Sequence, residues 1–245
     1  MDFDSHRLSF GAAAEHYDRA RPSYPLAAIT WSIGSPPQRV ADLGAGTGLL
    51  TRVAAKAGFE VVPIEPDPAM RAQLEAATPG TTALAGAAER IPLPDESVDA
   101  VICGQAYHWF DQELALPEIA RVLKPGGAFA AMWNERDTQA PWAAKLDLIM
   151  AGGKHLDWEI ENVTSFGPRF TEVEQRQFEH VTTQSPQGLV DLVSTRSYYL
   201  VAPPEQQAML REQVLDLCAT DPQLRARKEF PLKLTAHVFR AFKKP

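Results

Sequence analysis

The segment Val40-Ala41-Asp42-Leu43-Gly44-Ala45-Gly46-Thr47-Gly48 constrains this chain more than any other. An apolar run ends in an acid, breaks into alternating glycines and gives way to a helical pattern from Leu49. That order reads as a buried strand, a tight loop and a helix. Glycine at 44, 46 and 48 lets the main chain turn sharply and approach a ligand that a Cβ would hold off. The helix behind the loop aims its free N–H groups at the same point. Such a loop seats a nucleoside-bearing cofactor. A dinucleotide loop reads G-x-G-x-x-G, but here its third glycine is replaced by Leu49 and the spacing is G-x-G-x-G. Asp42 stands two residues before the first glycine, where a carboxylate suits an ammonium group and repels pyrophosphate. The loop therefore favours a nucleoside with an amino-acid end over NAD(P).

The next apolar run, Phe59-Glu60-Val61-Val62-Pro63-Ile64, ends at Glu65. An acid at the tip of the second strand, about twenty residues beyond the glycines, is placed to grip a ribose diol. A carboxylate accepts from both hydroxyls at once. Asp67-Pro68 then starts a helix, with Asp67 as N-cap and Pro68 in its first turn. Apolar runs at 39–43, 59–64, 82–85, 98–103 and 127–133 read as buried strands, with helices near 48–57, 68–77 and 111–123. Alternation at this spacing gives an α/β, doubly wound, mostly parallel sheet. Lys124-Pro125-Gly126-Gly127 reads as a turn. Pro117 falls inside the preceding helical pattern, so that helix starts late, near Leu116, or is kinked.

Four pieces in order now resemble one family: Asp42–Gly48, Glu65-Pro66-Asp67, Gly86–Asp99 and Arg121-Val122-Leu123-Lys124-Pro125-Gly126-Gly127. Spanning residues 38–135, they resemble the class I S-adenosylmethionine-dependent methyltransferases, in their small-molecule, type 11-like branch. The resemblance implies a Rossmann-like fold and S-adenosyl-L-methionine as cofactor. It implies that Asp42, Gly44, Ala45 and Gly46 face the methionine end and that Glu65 holds the ribose. Pro66, Ala88 and Glu89 would then lie beside adenine. Members often carry Asp or Ser where this chain has Ala87, which shifts adenine reading to main chain near Ala88, to Glu89 or to Pro66-Asp67.

Beyond residue 135, Phe170–Thr183 and Phe230–Phe242 alternate apolar and polar positions, as in half-exposed strands. The resemblance implies that they form an antiparallel C-terminal edge. Stretches 187–200 and 204–218 read as helices of a lid, and another helix falls near 141–150. The chain is thus expected to be one methyltransferase domain: an N-terminal cap over 1–35, a cofactor core over 36–135, and lid helices with edge strands over 136–245.

Ligands in open α/β sheets sit beyond the C-terminal ends of the strands. Gln105-Ala106-Tyr107-His108-Trp109-Phe110, just after the fourth strand, falls there. Gln105 is expected to bond the methionine part of the cofactor, and an aromatic face of Tyr107, His108 or Trp109 suits a sulfonium. Trp109 and Phe110 suit core packing equally well. His108 is one candidate general base. The other is Tyr17 in Tyr17-Asp18-Arg19-Ala20-Arg21-Pro22-Ser23-Tyr24-Pro25, which resembles the capping segment of related enzymes. There Arg21 would fork onto the cofactor carboxylate. Arg196 reads as a solvated helix-face residue, with binding of an anionic acceptor as the alternative. Trp142 and Trp158 read as core.

A net charge of −7, with Arg225-Ala226-Arg227-Lys228 as the clearest basic cluster, argues against a nucleic-acid substrate. Cys103 and Cys218 fall in an apolar strand and a helical pattern, so buried thiols are expected. The two cysteines and six histidines show no metal-ligand spacing. Met1–Arg7 is polar and lacks the apolar core of a secretory signal, and no apolar run reaches membrane-span length. A cytoplasmic enzyme, monomer or homodimer, with a small-molecule acceptor is the resulting expectation. Its rivals are an NAD(P)-dependent oxidoreductase and a non-catalytic S-adenosylmethionine-binding protein.

Overall fold

Strand β1 (Arg39–Leu43) is buried along four of its five residues, as a central strand covered on both faces must be. In the computed structural model, which describes residues 14–36, 38–150 and 163–245, it pairs in parallel with β2 (Glu60–Glu65) and β4 (Val98–Gly104). β2 pairs onward with the short β3 (Leu84–Ala85), and β4 with the long β5 (Leu123–Arg136). With β6 (Glu174–Gln184) and β7 (Phe230–Phe242), the seven strands lie in the order β3-β2-β1-β4-β5-β7-β6. The sheet is mostly parallel with an antiparallel edge, as the resemblance implies.

The chain separates into two compact units. One holds described residues 23–36, 38–134, 163–178 and 236–245 and contains most of the sheet. Alternate residues of its strands feed two cores. Ala41, Leu43, Val101, Cys103, Phe129 and Ala131 share one with Tyr107, Phe166 and Phe239. Val40, Ala100, Ile102, Ala130 and Met132 share the other with Ile29, Leu50 and Val238. This is the period-2 geometry of a strand, with both faces apolar.

Within this unit α2 (Leu26–Ile33), α3 (Leu49–Lys56), α4 (Pro68–Ala77) and α5 (Gln112–Val122) flank the strands. Asp67 caps α4 by accepting from Ala69 N at 2.8 Å and Met70 N at 3.0 Å, with Pro68 at the first position, as its sequence demands. Helix α5 does not start near Leu116. It begins at Gln112 and carries Pro117 inside it. Asp111 is the cause: its side chain accepts from Glu113 N at 3.1 Å and its carbonyl from Ala115 N at 2.7 Å. That capped turn nucleates the helix upstream of the proline. Lys124–Gly127 is not a separate turn: it lies within β5, as a register shift between pairs Val98–Leu123 and Ala100–Ala128. Gly126 takes a φ of 76° there.

The second unit, described over residues 14–22, 135–150 and 179–235, is mainly helical. It contains α1 (Ala14–Ala20), α6 (Pro141–Met150), α7 (Pro186–Ser194), α8 (Ser197–Leu200) and α9 (Pro204–Thr220). Its core joins Trp142, Leu146, Leu189, Val193, Tyr199, Val214 and Phe230. Trp142 meets Phe230 edge-on at 5.5 Å, so its packing role holds, while Trp158 lies outside the described residues. The single helix expected over 187–200 is two. Thr195 turns its hydroxyl back onto Leu192 O at 2.8 Å, and Arg196 is extended at φ −80°, ψ 142°. Both cysteines are free and buried. Among the described residues no helix is long and apolar enough to cross a membrane.

Substituting Asp67 by Ala removes two bonds to otherwise unpaired N–H groups. We expect a loss of about 0.5–2 kcal/mol in stability, read from urea unfolding midpoints. An unchanged midpoint would mean that Pro68 alone sets the start of α4.

Candidate functional site

Asp42 ends β1, and the sheet buries it to 1 % exposure. Its Oδ2 accepts from the Thr51 hydroxyl at 2.6 Å, while its Oδ1 is sealed from solvent without a partner. Burial pushes its carboxyl up to about 7; the Thr51 bond opposes the shift and the nearby Glu65 carboxylate adds to it. An unsatisfied buried carboxylate oxygen is costly, and a cationic donor from a ligand is what would satisfy it.

The glycine loop follows. Gly44 and Ala45 both donate to Ile64 O, at 2.9 and 3.2 Å, which ties the loop to the end of β2. The glycines differ in what surrounds them. A Cβ on Gly44 would stand 2.8 Å from the Ala106 Cβ, and one on Gly48 would stand 2.7 Å from the Leu74 Cγ. Those two are glycine because neighbouring elements press against them. A Cβ on Gly46 would meet nothing within 4 Å, although its φ is 56°. Gly46 therefore presents bare main chain to open space, the cradle a ligand can fill.

Glu65 lies beside it, 7 % exposed at the tip of β2. Its Oε2 accepts from Gly46 N at 2.9 Å and its Oε1 from Asp67 N at 3.0 Å. Burial raises its pKa, against the lowering effect of those two bonds. Two oxygens offer about four acceptor sites, so Glu65 keeps capacity for a diol. Arg71 fixes the neighbouring turn by donating to the carbonyls of Glu65 and Pro66, both at 2.7 Å. On the adjoining segment Ala88 is buried at 3 %. Glu89 accepts from Asp111 N at 2.9 Å, which commits one of its oxygens to the start of α5.

Asp42, Gly44, Ala45, Gly46, Glu65 and Pro66 thus form one continuous local arrangement. Sequence reasoning missed three residues that hold it. Thr51 lies in the first turn of α3, facing back toward the strand end. Arg71 is one turn into α4, a position from which a long side chain covers the turn before it. Tyr24 lies with its hydroxyl where a Cβ on Gly104 would be 2.7 Å away, so the β4 terminus is glycine for the tyrosine's sake.

The run after β4 divides by role. Gln105 is held at a positive φ of 55°, with Nε2 donating to Asn134 O at 2.9 Å. Asn134 in turn donates to Ser23 O at 3.0 Å. The amide of Gln105 is thereby engaged with protein. Tyr107 turns inward, 1 % exposed among Phe110, Phe129, Trp133 and Phe166, so it is core and offers no face to a sulfonium. His108 stays half-buried against Trp109, with ring centroids 4.9 Å apart. Its Nδ1 accepts from Trp133 Nε1 at 3.3 Å. When the ring is neutral, accepting at Nδ1 leaves its proton on Nε2.

Tyr17 and Arg21 belong to the helical unit and are described within it. The Arg21 guanidinium sits 4.8 Å from the Tyr17 ring centroid. It donates from Nε to Thr195 Oγ1 at 2.8 Å and from Nη2 to Thr195 O at 2.9 Å. Arg196, read as solvated, is only partly exposed, and its Nε is shut off from solvent. Among the described residues no group of three His, Cys, Asp or Glu is arranged to hold a metal ion.

Because burial raises the Asp42 carboxyl to about 7, the folded state holds a proton there that the unfolded chain has released above its ordinary value of 3.8. Stability from this group is therefore greatest at low pH, falls between about 4 and about 7, and levels off above. The slope is at most about 1.4 kcal/mol per pH unit. We expect Asp42→Asn to flatten the pH dependence of unfolding in that window and to be the more stable protein at pH 8. An Asn variant that tracks the unmodified protein from pH 4 to 8 would show that Asp42 is ionised throughout.

With this geometry in place, comparison with known proteins is informative. Residues 41–131, which contain the glycine loop, Glu65 and the segment after β4, match the methyltransferase domain family. An uncharacterized methyltransferase of Mycobacterium bovis is 46 % identical over 217 residues, covering 89 % of this chain and 88 % of the relative. Among solved structures, one described as a putative type II methyltransferase from Anaeromyxobacter dehalogenans shares the fold at a TM-score of 0.65. Its identity is 24 %, over 91 % of this chain and 97 % of that one. A Haemonchus contortus phosphoethanolamine N-methyltransferase, solved with phosphomonomethylethanolamine and S-adenosylhomocysteine, superposes at a TM-score of 0.55. That likeness is at 17 % identity, over 100 % of this chain and 60 % of that one. The orphaned acid, the open glycine and the strand-end glutamate all fall within the matched residues, and the chain belongs to the class I S-adenosylmethionine-dependent methyltransferases of the type 11 kind.

Proposed function

We propose that the protein transfers the methyl group of S-adenosylmethionine to a small-molecule acceptor by direct in-line displacement. The observation that carries this is the pairing of a partnerless buried Asp42 oxygen with open space at Gly46. An amino-acid ammonium group answers the first and a ligand backbone fills the second. Asp42 and the Gly44–Gly46 main chain would hold the amino-acid end. Glu65 would exchange one of its present main-chain donors, or use its spare lone pairs, to accept from the ribose hydroxyls. Adenine would lie against the main chain of Ala88, near Glu89 and Pro66. A pyrophosphate would meet two buried carboxylates in the same place, which disfavours NAD(P).

When bound, the cofactor supplies a methyl group already activated on a positively charged sulfur. What remains for the chain is alignment and exclusion of water, which can be worth effective molarities up to roughly 10⁵–10⁸ M. No nucleophilic residue is required. His108 would act here as an Nε2–H donor that orients the acceptor, a change from the base role its position suggests. Tyr17 remains the candidate to take a proton where the acceptor has one to lose, and Arg21 the candidate to face a carboxylate with its remaining donors. The net charge of −7 favours a small acceptor over nucleic acid. The reading is of a cytoplasmic enzyme acting as monomer or homodimer.

Calorimetric titration with S-adenosylmethionine, S-adenosylhomocysteine and NAD(P) tests the cofactor. The first two should bind at one site per chain, and the dinucleotides should not. Glu65→Ala should weaken that binding by about 1–3 kcal/mol while leaving the fold intact. Dinucleotide binding alone would make the protein an oxidoreductase. Unchanged cofactor affinity in a folded Glu65→Ala protein would move the ribose site elsewhere.

A further inference from the structure

The helical unit brings three arginines into mutual electrostatic range. Arg21, Arg136 and Arg196 come from three separate segments of the sequence, the end of α1, the end of β5 and the break before α8. Two of them are tied down. Arg21 donates to Thr195 Oγ1 and O, and Arg136 directs both Nε and Nη2 to Asp147 Oδ1. Asp147 is thereby committed to Arg136.

Arg196 differs. Among the described residues, no hydrogen bond or ion pair reaches its side chain, and its Nε is buried without a partner. The Tyr198 hydroxyl, two residues on, is also buried without a partner. The groups acting on Arg196 are burial, then the charges of Arg21 and Arg136, which disfavour its cationic form, then the phenols of Tyr198 and Tyr17, which favour it. An arginine pushed in this direction does not give up its proton, because guanidinium stays charged under all ordinary conditions. It keeps the charge, and the fold bears the cost.

Folding alone does not account for such an arrangement. A half-buried arginine whose Nε is sealed from solvent without a partner, with the unsatisfied Tyr198 phenol two residues on, carries a cost that an arriving anion would relieve. The ligand chemistry follows from the donors. A guanidinium with its fork free matches the paired oxygens of a carboxylate or phosphate, and a phenolic O–H adds one more donor to the same oxygens. A neutral or cationic ligand would leave the charge where it is.

From this arrangement we infer that Arg196 and Tyr198, backed by Arg21 and Arg136, form a binding site for the carboxylate or phosphate group of a small molecule. Taken with the proposed methyl transfer, on which this step rests, the bound molecule is the acceptor, and acceptors of this enzyme are anions. A carboxylate acceptor would need no general base, which agrees with His108 being arranged as a donor.

The test uses the whole protein and two probes, succinate and inorganic phosphate, against chloride at matched ionic strength. Calorimetry and thermal melting are read on the unmodified protein and on Arg196→Gln, Arg196→Lys and Tyr198→Phe. Saturable binding of one probe, weakened at least about tenfold by Arg196→Gln and less by Arg196→Lys, is the expected result. Which probe binds tells carboxylate from phosphate. Without added anion, Arg196→Gln should melt higher than the unmodified protein, because it removes an uncompensated charge. A residue that merely braces the fold would melt lower. Failure of both probes to saturate, or binding untouched by Arg196→Gln, overturns the site, as does a lower melting temperature in that variant. S-adenosylhomocysteine is titrated into the same samples. Anion binding without cofactor binding would sink the methyl-transfer reading and leave the anion site; the reverse would sink the anion site alone.

Discussion

A carboxylate at the end of the central strand, held almost out of water, is the constraint around which the glycine loop and its neighbours are arranged. Asp42 sits on β1 with parallel neighbours on both sides, so it cannot escape to solvent without breaking the middle of the sheet. Thr51 satisfies one of its oxygens, and among the described residues none satisfies the other. The loop then turns on three glycines whose reasons differ. Gly44 and Gly48 make room for Ala106 and Leu74, and Gly46 makes room for none of the described residues. Close packing at the first two holds the third open. Glu65 accepts from Gly46 N, which keeps the acid of the second strand against the loop.

Much of this was legible in the sequence because it is local. The path from Asp42 through Gly48 to Glu65 is short in chain terms, and each residue type there is dictated by backbone geometry or by a strand end. The same holds for the cap at Asp67, which sits where its pattern puts it. Where the reading slipped, a competing local interaction had won. Pro117 suggested a late helix start, but the Asp111 cap two turns earlier set the boundary. The helix expected over 187–200 broke at Thr195, whose hydroxyl bonds its own preceding turn. Tyr107 and His108 are neighbours of similar character in the sequence. One packs among four aromatic rings and the other is oriented by a tryptophan from β5. Only the fold distinguishes them.

Arg196 shows the limit most clearly. On a helix-like stretch an arginine is ordinarily solvated, and no spacing rule says otherwise. Its partners in charge come from residues 21 and 136, more than fifty positions away in either case. Such clusters form when distant segments pack, so single-sequence reasoning sees three unrelated basic residues. The Asp42–Glu65 arrangement was readable because one short stretch of chain builds most of it. The arginine cluster was not, because it is assembled from separate segments.

The two regions share a physical logic even though each is described within its own unit. Both hold a charged group whose hydrogen-bonding capacity the protein leaves incomplete: an acid in one, an arginine in the other. Neither helps the chain fold, and each lowers stability in a way a ligand of opposite charge would reverse. A sequence selected for stability alone would replace both, Asp42 by Asn and Arg196 by an apolar or neutral polar residue. On the proposed reading these two buried charges are where ligands act: the acid would take a cationic amino-acid end and the arginine an anionic group.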